Sequence, residues 1–225
     1  MSISSGPTDQ VLMQETIGKC FRTTAAAYPD HVGLVVRHQS VRWTYSEYLR
    51  HVDELATGLI ALGIQPGDRV GIWAPNCYEW CLTQFATASI GAIMVCINPA
   101  YRVYELEYAL NKVQCRALIT AERFKTSDYL GMLRALAPEI DTCEPGALRS
   151  EKLPHLEIIV RMGEETSPGM YNFGQVCEQG KQADYDRLVE LGQSLDPDSP
   201  INIQFTSGTT GNPKGATLTH TNILN

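Results

Sequence analysis

The sequence predicts an α/β protein with a mostly parallel sheet flanked by helices, and two successive segments carry that prediction. The first has an apolar strand at 69–74, a helix at 78–90 and a buried strand at 92–97, separated by short breaks. The second continues with a helix at 104–112 and a strand at 117–120. A strand, a helix and another strand in this order form a parallel crossover unit, because parallel neighbours need a long connection.

The residues before the first crossover predict two helices and two short strands. Apolar spacing predicts a helix at 14–27, and short apolar runs predict strands at 32–36 and 41–43. The segment 44–47, Thr-Tyr-Ser-Glu, matches a capping box, in which the Thr hydroxyl and the Glu carboxylate bind free amides at a helix start. The helix that follows is expected to stop at Gly63, because glycine tolerates the left-handed backbone of a helix end.

The second half of the chain predicts fewer elements. A helix is expected at 127–136 and a strand at 156–160. The segments 141–154 and 162–180 are rich in turn-forming residues, and we expect both to be irregular. A stiff, proline-containing connector at 196–200 then leads to a further apolar strand.

Composition and charge limit the classes of function. The chain has 225 residues, of which 44% are hydrophobic and 19% charged, as is typical of a globular protein. Its net charge is −7 and no basic stripe is visible, which argues against a nucleic-acid partner. No apolar run reaches the roughly 18 residues that span a bilayer, so no transmembrane segment is expected. Residues 1–14 are expected to form an N-terminal extension and residues 15–225 a single domain.

The strongest functional motif is a ten-residue loop that follows an apolar strand at 201–205. It contains three glycines, three threonines, one serine and one lysine. Glycines let successive backbone N–H groups turn toward one anion, hydroxyls add short donors, and the lysine adds a full positive charge. We expect the following residues to bind a polyphosphate: Thr206, Ser207, Gly208, Thr209, Thr210, Gly211, Asn212, Pro213, Lys214 and Gly215.

Two alternative interpretations of this loop are weaker. A flexible surface turn would not be flanked by buried-type strands on both sides, here 201–205 and 216–218. A Walker A loop also combines glycines with a lysine, but it requires G-x-x-x-x-G-K-[ST] followed by a helix. In this chain Gly215 follows the lysine and leads into a strand, so the register of that motif fails.

Side chains outside the loop carry weaker hypotheses. Cys77 and Cys81 could share a helix face but lack a third ligand at metal spacing, so all seven cysteines indicate reduced thiols of an intracellular protein. His51 and Glu54 resemble half a metal site, and a solvated helix face is preferred. His220 follows the loop strand, and a structural or capping role is favoured over a supporting role at the pocket. The tryptophans are interpreted as core packing and four acidic residues as exposed charges: Trp43, Trp73, Trp80, Glu15, Asp53, Asp184 and Asp186.

The run Phe-Thr-Ser-Gly-Thr-Thr-Gly-Asn-Pro-Lys-Gly at 205–215 resembles the phosphate loop of the acyl-adenylate-forming superfamily, the AMP-dependent synthetases and ligases. This superfamily includes acyl-CoA synthetases, firefly luciferase and peptide-synthetase adenylation domains. Further matching segments lie at 67–70 and 98–101, so the resemblance covers roughly residues 15–225. The segments 98–101, 145–148 and 201–211 are most similar to the mitochondrial medium-chain acyl-CoA synthetase branch.

The resemblance implies an ATP-dependent fatty acid–CoA ligase. Its substrates would be a small carboxylic acid, Mg²⁺-ATP and coenzyme A, and residues 206–215 would bind the β- and γ-phosphates. It also implies that this chain is an N-terminal fragment holding the first α/β subdomain, with no catalytic residue and no metal ligand of its own. We therefore expect the chain alone to be inactive. The alternative is a truncated, non-catalytic form that binds nucleotide weakly or pairs with a partner. The resemblance implies a mitochondrial location, with a cytoplasmic one as the alternative.

Overall fold

The computed structural model describes residues 11–206 and 213–225. In this part of the chain, eleven strands form one seven-stranded sheet and two small two-stranded sheets. The strands, in chain order, are β1 Val32–Val36, β2 Val41–Thr44, β3 Arg69–Trp73, β4 Ile93–Cys96, β5 Ala117–Thr120, β6 Arg123–Phe124, β7 Ser127–Asp128, β8 Ile158–Arg161, β9 Tyr171–Asn172, β10 Pro200–Thr206 and β11 Lys214–Thr219. The α-helices are α1 Ile17–Ala27, α2 Tyr45–Ala61, α3 Tyr78–Ile90, α4 Val103–Lys112, α5 Tyr129–Leu136, α6 Phe173–Lys181, α7 Tyr185–Ser194 and α8 His220–Leu224.

The large sheet is mostly parallel, which confirms the predicted fold class. Its strand order is β11-β10-β4-β3-β5-β8-β9. Every neighbouring pair from β10 to β9 is parallel, and β11 runs antiparallel to β10. The crossover through α3 places β4 on one side of β3, and the crossover through α4 places β5 on the other. The carboxyl ends of β3, β4 and β10 therefore meet at one edge of the sheet.

Helices cover both faces of this sheet. The helices α1, α2, α3, α6 and α7 pack on one face, where Val70 and Ile72 of β3 and Ile119 of β5 point. The helices α4 and α5 pack on the other face, which receives Leu118 of β5 and Ile159 of β8. Because side chains alternate along a strand, short and almost wholly apolar strands supply both cores at once.

The predicted helix boundaries of α2 are confirmed by its hydrogen bonds. The Thr44 hydroxyl accepts from the Glu47 amide at 3.2 Å, and the Glu47 carboxylate accepts from the Thr44 amide at 2.8 Å. This arrangement is the capping box expected from the sequence. Gly63 has φ of +86° directly after the helix, in the left-handed region where a glycine is favoured.

The prediction that residues 162–180 are irregular is wrong. This stretch contains β9 and most of α6, and the Asn172 side chain caps α6 by accepting from two of its first amides. The helix is stabilised by tertiary contact, since Gly180 lies so close to α2 that an added Cβ would sit 1.8 Å from the Glu54 carbonyl oxygen. Helix α7 also lies in a region where the sequence predicted no element.

The cysteines are free thiols, as predicted. Burial raises the pKa of Cys77, Cys115 and Cys177 to about 12, so these thiols stay protonated near neutral pH. Among the described helices, none combines the length and the apolar character that crossing a membrane requires.

Candidate functional site

The two ends of the predicted polyphosphate-binding motif lie in neighbouring strands, β10 and β11. Thr206, the last residue of β10, pairs with Lys214, the first residue of β11, and the Thr206 hydroxyl donates to the Lys214 carbonyl at 3.4 Å. Lys214 and Gly215 therefore belong to the second strand, whereas the sequence predicted a strand only from residue 216. The connecting residues of the motif lie outside the described part of the chain: Ser207, Gly208, Thr209, Thr210, Gly211 and Asn212.

The hairpin tip extends from the edge of the sheet at which α/β proteins bind ligands. Asn202 pairs with Met94 and Gln204 with Cys96, so β10 continues past the point where β4 ends. In open α/β sheets, ligands bind outside the carboxyl ends of the parallel strands. The topology therefore places Thr206 and Lys214 at the edge of the sheet where such proteins bind ligands.

The lysine of the motif is available to a ligand. Lys214 is exposed, and no carboxylate within residues 11–206 and 213–225 lies within ion-pair distance of its ammonium. A free ammonium on a strand end offers three donors and a point charge, which suits a phosphate. The exposed Lys214 ammonium is thus a donor of the kind that binds anionic groups.

A cavity of about 230 Å³ lies beside the hairpin, at the carboxyl ends of β3, β4 and β10. Its wall combines amide side chains from Asn76, Asn98 and Gln204 with the aromatic rings of Trp80 and Phe205. Trp80 packs against the core, as predicted, and in addition faces this cavity. The cavity was not predictable from local patterns, because its walls come from segments that are far apart in the chain.

A buried aromatic pair holds the turn after β4 that borders this cavity. The rings of Trp73 and Tyr129 stack with their centroids 3.7 Å apart. The Trp73 indole N–H donates to the Asn98 carbonyl at 3.2 Å, and the Tyr129 hydroxyl donates to the Pro99 carbonyl at 2.6 Å. Burial raises the pKa of Tyr129 to about 12, so this hydroxyl remains a donor. The prediction that Trp73 serves packing is confirmed, and its indole also fixes a turn.

His220 has the structural and capping role that the sequence favoured. It is fully buried, and its Nδ1 accepts from the backbone amide of Ile17, the first residue of α1, at 3.1 Å. Its Nε2 has no partner among the described residues. Burial lowers the pKa of this imidazole, with a smaller opposing effect from Asp196. His220 thus links the end of β11 to the start of α1, and it does not line the cavity.

Two predictions about surface charges are wrong. The Asp53 carboxylate accepts from the Arg22 guanidinium at 3.0 Å and from the Tyr185 hydroxyl at 3.1 Å, so it joins α1, α2 and α7. His51 and Glu54 lie 3.1 Å apart and are mostly buried, not solvated. The contacts of Asp53 involve helices distant in sequence, which local patterns do not reveal. In the described ranges no group of three or more His, Cys, Asp or Glu side chains could hold a metal ion.

Comparison with known proteins finds relatives over almost the whole chain. Residues 21–225 match the family described as AMP-binding enzyme. The chain is 46% identical to the mitochondrial medium-chain acyl-CoA ligase ACSF2 of Bos taurus, covering 95% of this chain and 35% of the relative. It is 44% identical to the ACSF2 protein of Homo sapiens, covering 100% of this chain and 37% of the relative. The chain thus spans about a third of the length of these curated relatives.

A solved structure shows the same fold. The acetoacetyl-CoA synthetase from Streptomyces lividans superposes with a TM-score of 0.74 at 23% identity, over 96% of this chain and 34% of that chain. At this identity the likeness concerns the fold alone. It agrees with the mostly parallel, helix-flanked sheet described above.

Proposed function

The chain belongs to the family of AMP-binding enzymes, and from that premise we propose that it is part of an ATP-dependent ligase joining a medium-chain fatty acid to coenzyme A. The observation that carries the proposal is the position of the motif. A Gly- and Thr-rich hairpin ends in an exposed Lys214 at the carboxyl edge of a parallel sheet. The chemistry of ACSF2 relatives supplies the substrate class.

The proposed reaction has two steps. The acid carboxylate attacks the α-phosphate of Mg²⁺-ATP, which gives an acyl-adenylate and pyrophosphate. The thiol of coenzyme A then attacks the acyl carbonyl, and AMP leaves. The Mg²⁺ ion enters with ATP as part of the substrate.

The contribution of this chain is to the first step. Residues 206–215 would bind the β- and γ-phosphates, with backbone amides and hydroxyls as neutral donors. Lys214 would neutralise the negative charge that builds on the leaving pyrophosphate. Fixed donors at the site of developing charge stabilise a transition state more than they stabilise the ground state.

The remaining machinery is proposed to lie in the additional length that the relatives have. We propose that residues 15–225 form the N-terminal portion of the synthetase domain and contain no catalytic residue of their own. The 225 residues alone would then not catalyse the ligase reaction, because they span about a third of the length of ACSF2. A mitochondrial location is proposed from the same relatives, with a cytoplasmic one as the alternative.

ATP–pyrophosphate exchange with octanoate tests the proposal. We expect exchange from the full open reading frame that encodes these residues, and none from residues 1–225 alone. A series of acids from acetate to palmitate then measures chain-length preference, with the highest kcat/KM expected at medium length. If the product of the full reading frame shows no acid-dependent exchange, the proposed ligase activity is contradicted. If residues 1–225 alone show exchange, the proposal that the catalytic residues lie outside this chain is contradicted.

A further inference from the structure

We propose that Tyr108 of α4 is a positioning residue for Lys214, acting through the carbonyl group of Pro213. The inference rests on the proposed function, in which Lys214 binds the ATP phosphates. It adds a residue that lies 105 positions away in the sequence and outside the phosphate-binding motif. Tyr108 itself would touch neither substrate nor phosphate.

The contact is a single, well-placed hydrogen bond. The Tyr108 hydroxyl donates to the Pro213 carbonyl oxygen at 3.2 Å, at the point where the motif returns to the sheet. Proline has no N–H, so its carbonyl is the polar backbone group through which this residue can be held. Because the peptide unit is planar, restraining the Pro213 oxygen also restrains the Lys214 N–H and the Cα atom that carries its side chain.

Helix α4 is a rigid support for this contact. Leu106, Ala109 and Leu110 bury its inner face. The Glu105 carboxylate caps its start by accepting from the Arg102 amide at 3.1 Å. The chain enters this helix from the turn that the stacked Trp73–Tyr129 pair holds. A hydroxyl carried on such a helix can restrain a hairpin, whereas one on a mobile loop could not.

Apolar contacts place the hairpin against residues that flank the same helix. The rings of Tyr101 and Phe205 meet edge to face, with centroids 6.4 Å apart. On β11, an added Cβ at Gly215 would lie 3.9 Å from a methyl group of Val113, the residue that caps the end of α4. The Tyr108 hydroxyl adds a polar contact at Pro213 to these apolar ones.

The same helix offers a matched control. Tyr104 lies one turn before Tyr108, is 68% exposed, and its hydroxyl makes no hydrogen bond within residues 11–206 and 213–225. Tyr104→Phe and Tyr108→Phe each remove one phenolic oxygen from the same helix. Only the second change removes the hydrogen bond to Pro213.

The first arm of the test measures the hairpin without using activity. Hydrogen–deuterium exchange of the amides at 214–219 is compared in the full-length protein and its two variants, without nucleotide. We expect faster exchange at these amides in Tyr108→Phe and no change in Tyr104→Phe. Equal exchange in the two variants would overturn the inference, whatever the enzyme does.

The second arm measures ATP use by pyrophosphate exchange. A neutral hydrogen bond has a net free energy of about 0.5–1.5 kcal/mol, so we expect kcat/KM for ATP to fall roughly 2- to 13-fold in Tyr108→Phe. The KM for the acid should stay that of Tyr104→Phe. Faster amide exchange with unchanged kcat/KM for ATP would overturn the positioning role. If the wild-type enzyme shows no pyrophosphate exchange, both the proposed function and the role of Tyr108 in it are wrong. The amide exchange measured in the first arm still reports whether Tyr108 contacts Pro213.

Discussion

Acidification should destabilise this protein through His220, and the structure gives the mechanism. The imidazole is fully buried and Nδ1 accepts a hydrogen bond from the Ile17 amide, so the neutral ring carries its proton on Nε2. A second proton would have to displace the Ile17 hydrogen bond and place a charge in the core. Both effects favour the neutral form, and the pKa of His220 is lowered in the folded state.

The sign and the size of the effect follow from linkage. In the unfolded chain the pKa of histidine is about 6.5, so the unfolded state binds more protons than the folded state between that value and the lower folded pKa. Stability is therefore complete above about pH 6.5 and falls as the pH decreases below it. One proton taken up on unfolding changes the free energy of unfolding by at most about 1.4 kcal/mol per pH unit.

The assay is urea unfolding between pH 7.5 and 5, for the wild type and for His220→Asn. The asparagine side chain retains an acceptor near the Nδ1 position but does not titrate, so it removes the proton linkage. The pKa of His51 is also lowered by burial, but this contribution is present in both proteins and cancels in the difference. We expect the wild type to lose up to about 1.4 kcal/mol per pH unit more than the variant. Equal pH dependence in the two proteins would refute the argument.

Three further substitutions test the site and the packing. In the full-length enzyme, Lys214→Ala should lower kcat/KM for ATP by roughly one to two decades, because a charge-assisted hydrogen bond contributes about 1.5–3 kcal/mol. The control variant Lys152→Ala, at an exposed lysine before β8, should leave pyrophosphate exchange unchanged. Gly180→Ala should lower the free energy of unfolding by about 1–3 kcal/mol, since its Cβ would meet backbone atoms of α2, whereas Gly192→Ala in α7 meets nothing closer than 3.7 Å and should not destabilise. Tyr129→Phe should cost about 1 kcal/mol in urea unfolding by removing the hydrogen bond to Pro99, and an unchanged midpoint would show that water replaces it.

Local patterns in the sequence were sufficient for the elements around the site. Apolar spacing predicted the strands that became β3, β4 and β10, and the Thr44–Glu47 pair predicted the start of α2. These elements are stabilised by features that lie within a few residues of each other. The motif at 206–215 was visible for the same reason, because its glycines, hydroxyls and lysine are contiguous.

Contacts between distant segments were not predictable in this way. Helix α6 contains two glycines, which disfavour a helix locally, and one of them, Gly180, allows the close contact with α2. Asp53 was interpreted as an exposed charge because Arg22 and Tyr185 lie on other helices. The support of Pro213 by Tyr108 joins positions 105 residues apart, so no local pattern indicates it.

A crystal structure of the full-length protein with Mg²⁺-ATP would show directly whether the hairpin binds the triphosphate. We expect the β- and γ-phosphates at the β10–β11 hairpin, with the Lys214 ammonium about 2.7–2.9 Å from a phosphate oxygen. A triphosphate bound elsewhere, with the Lys214 ammonium pointing into solvent, would contradict it.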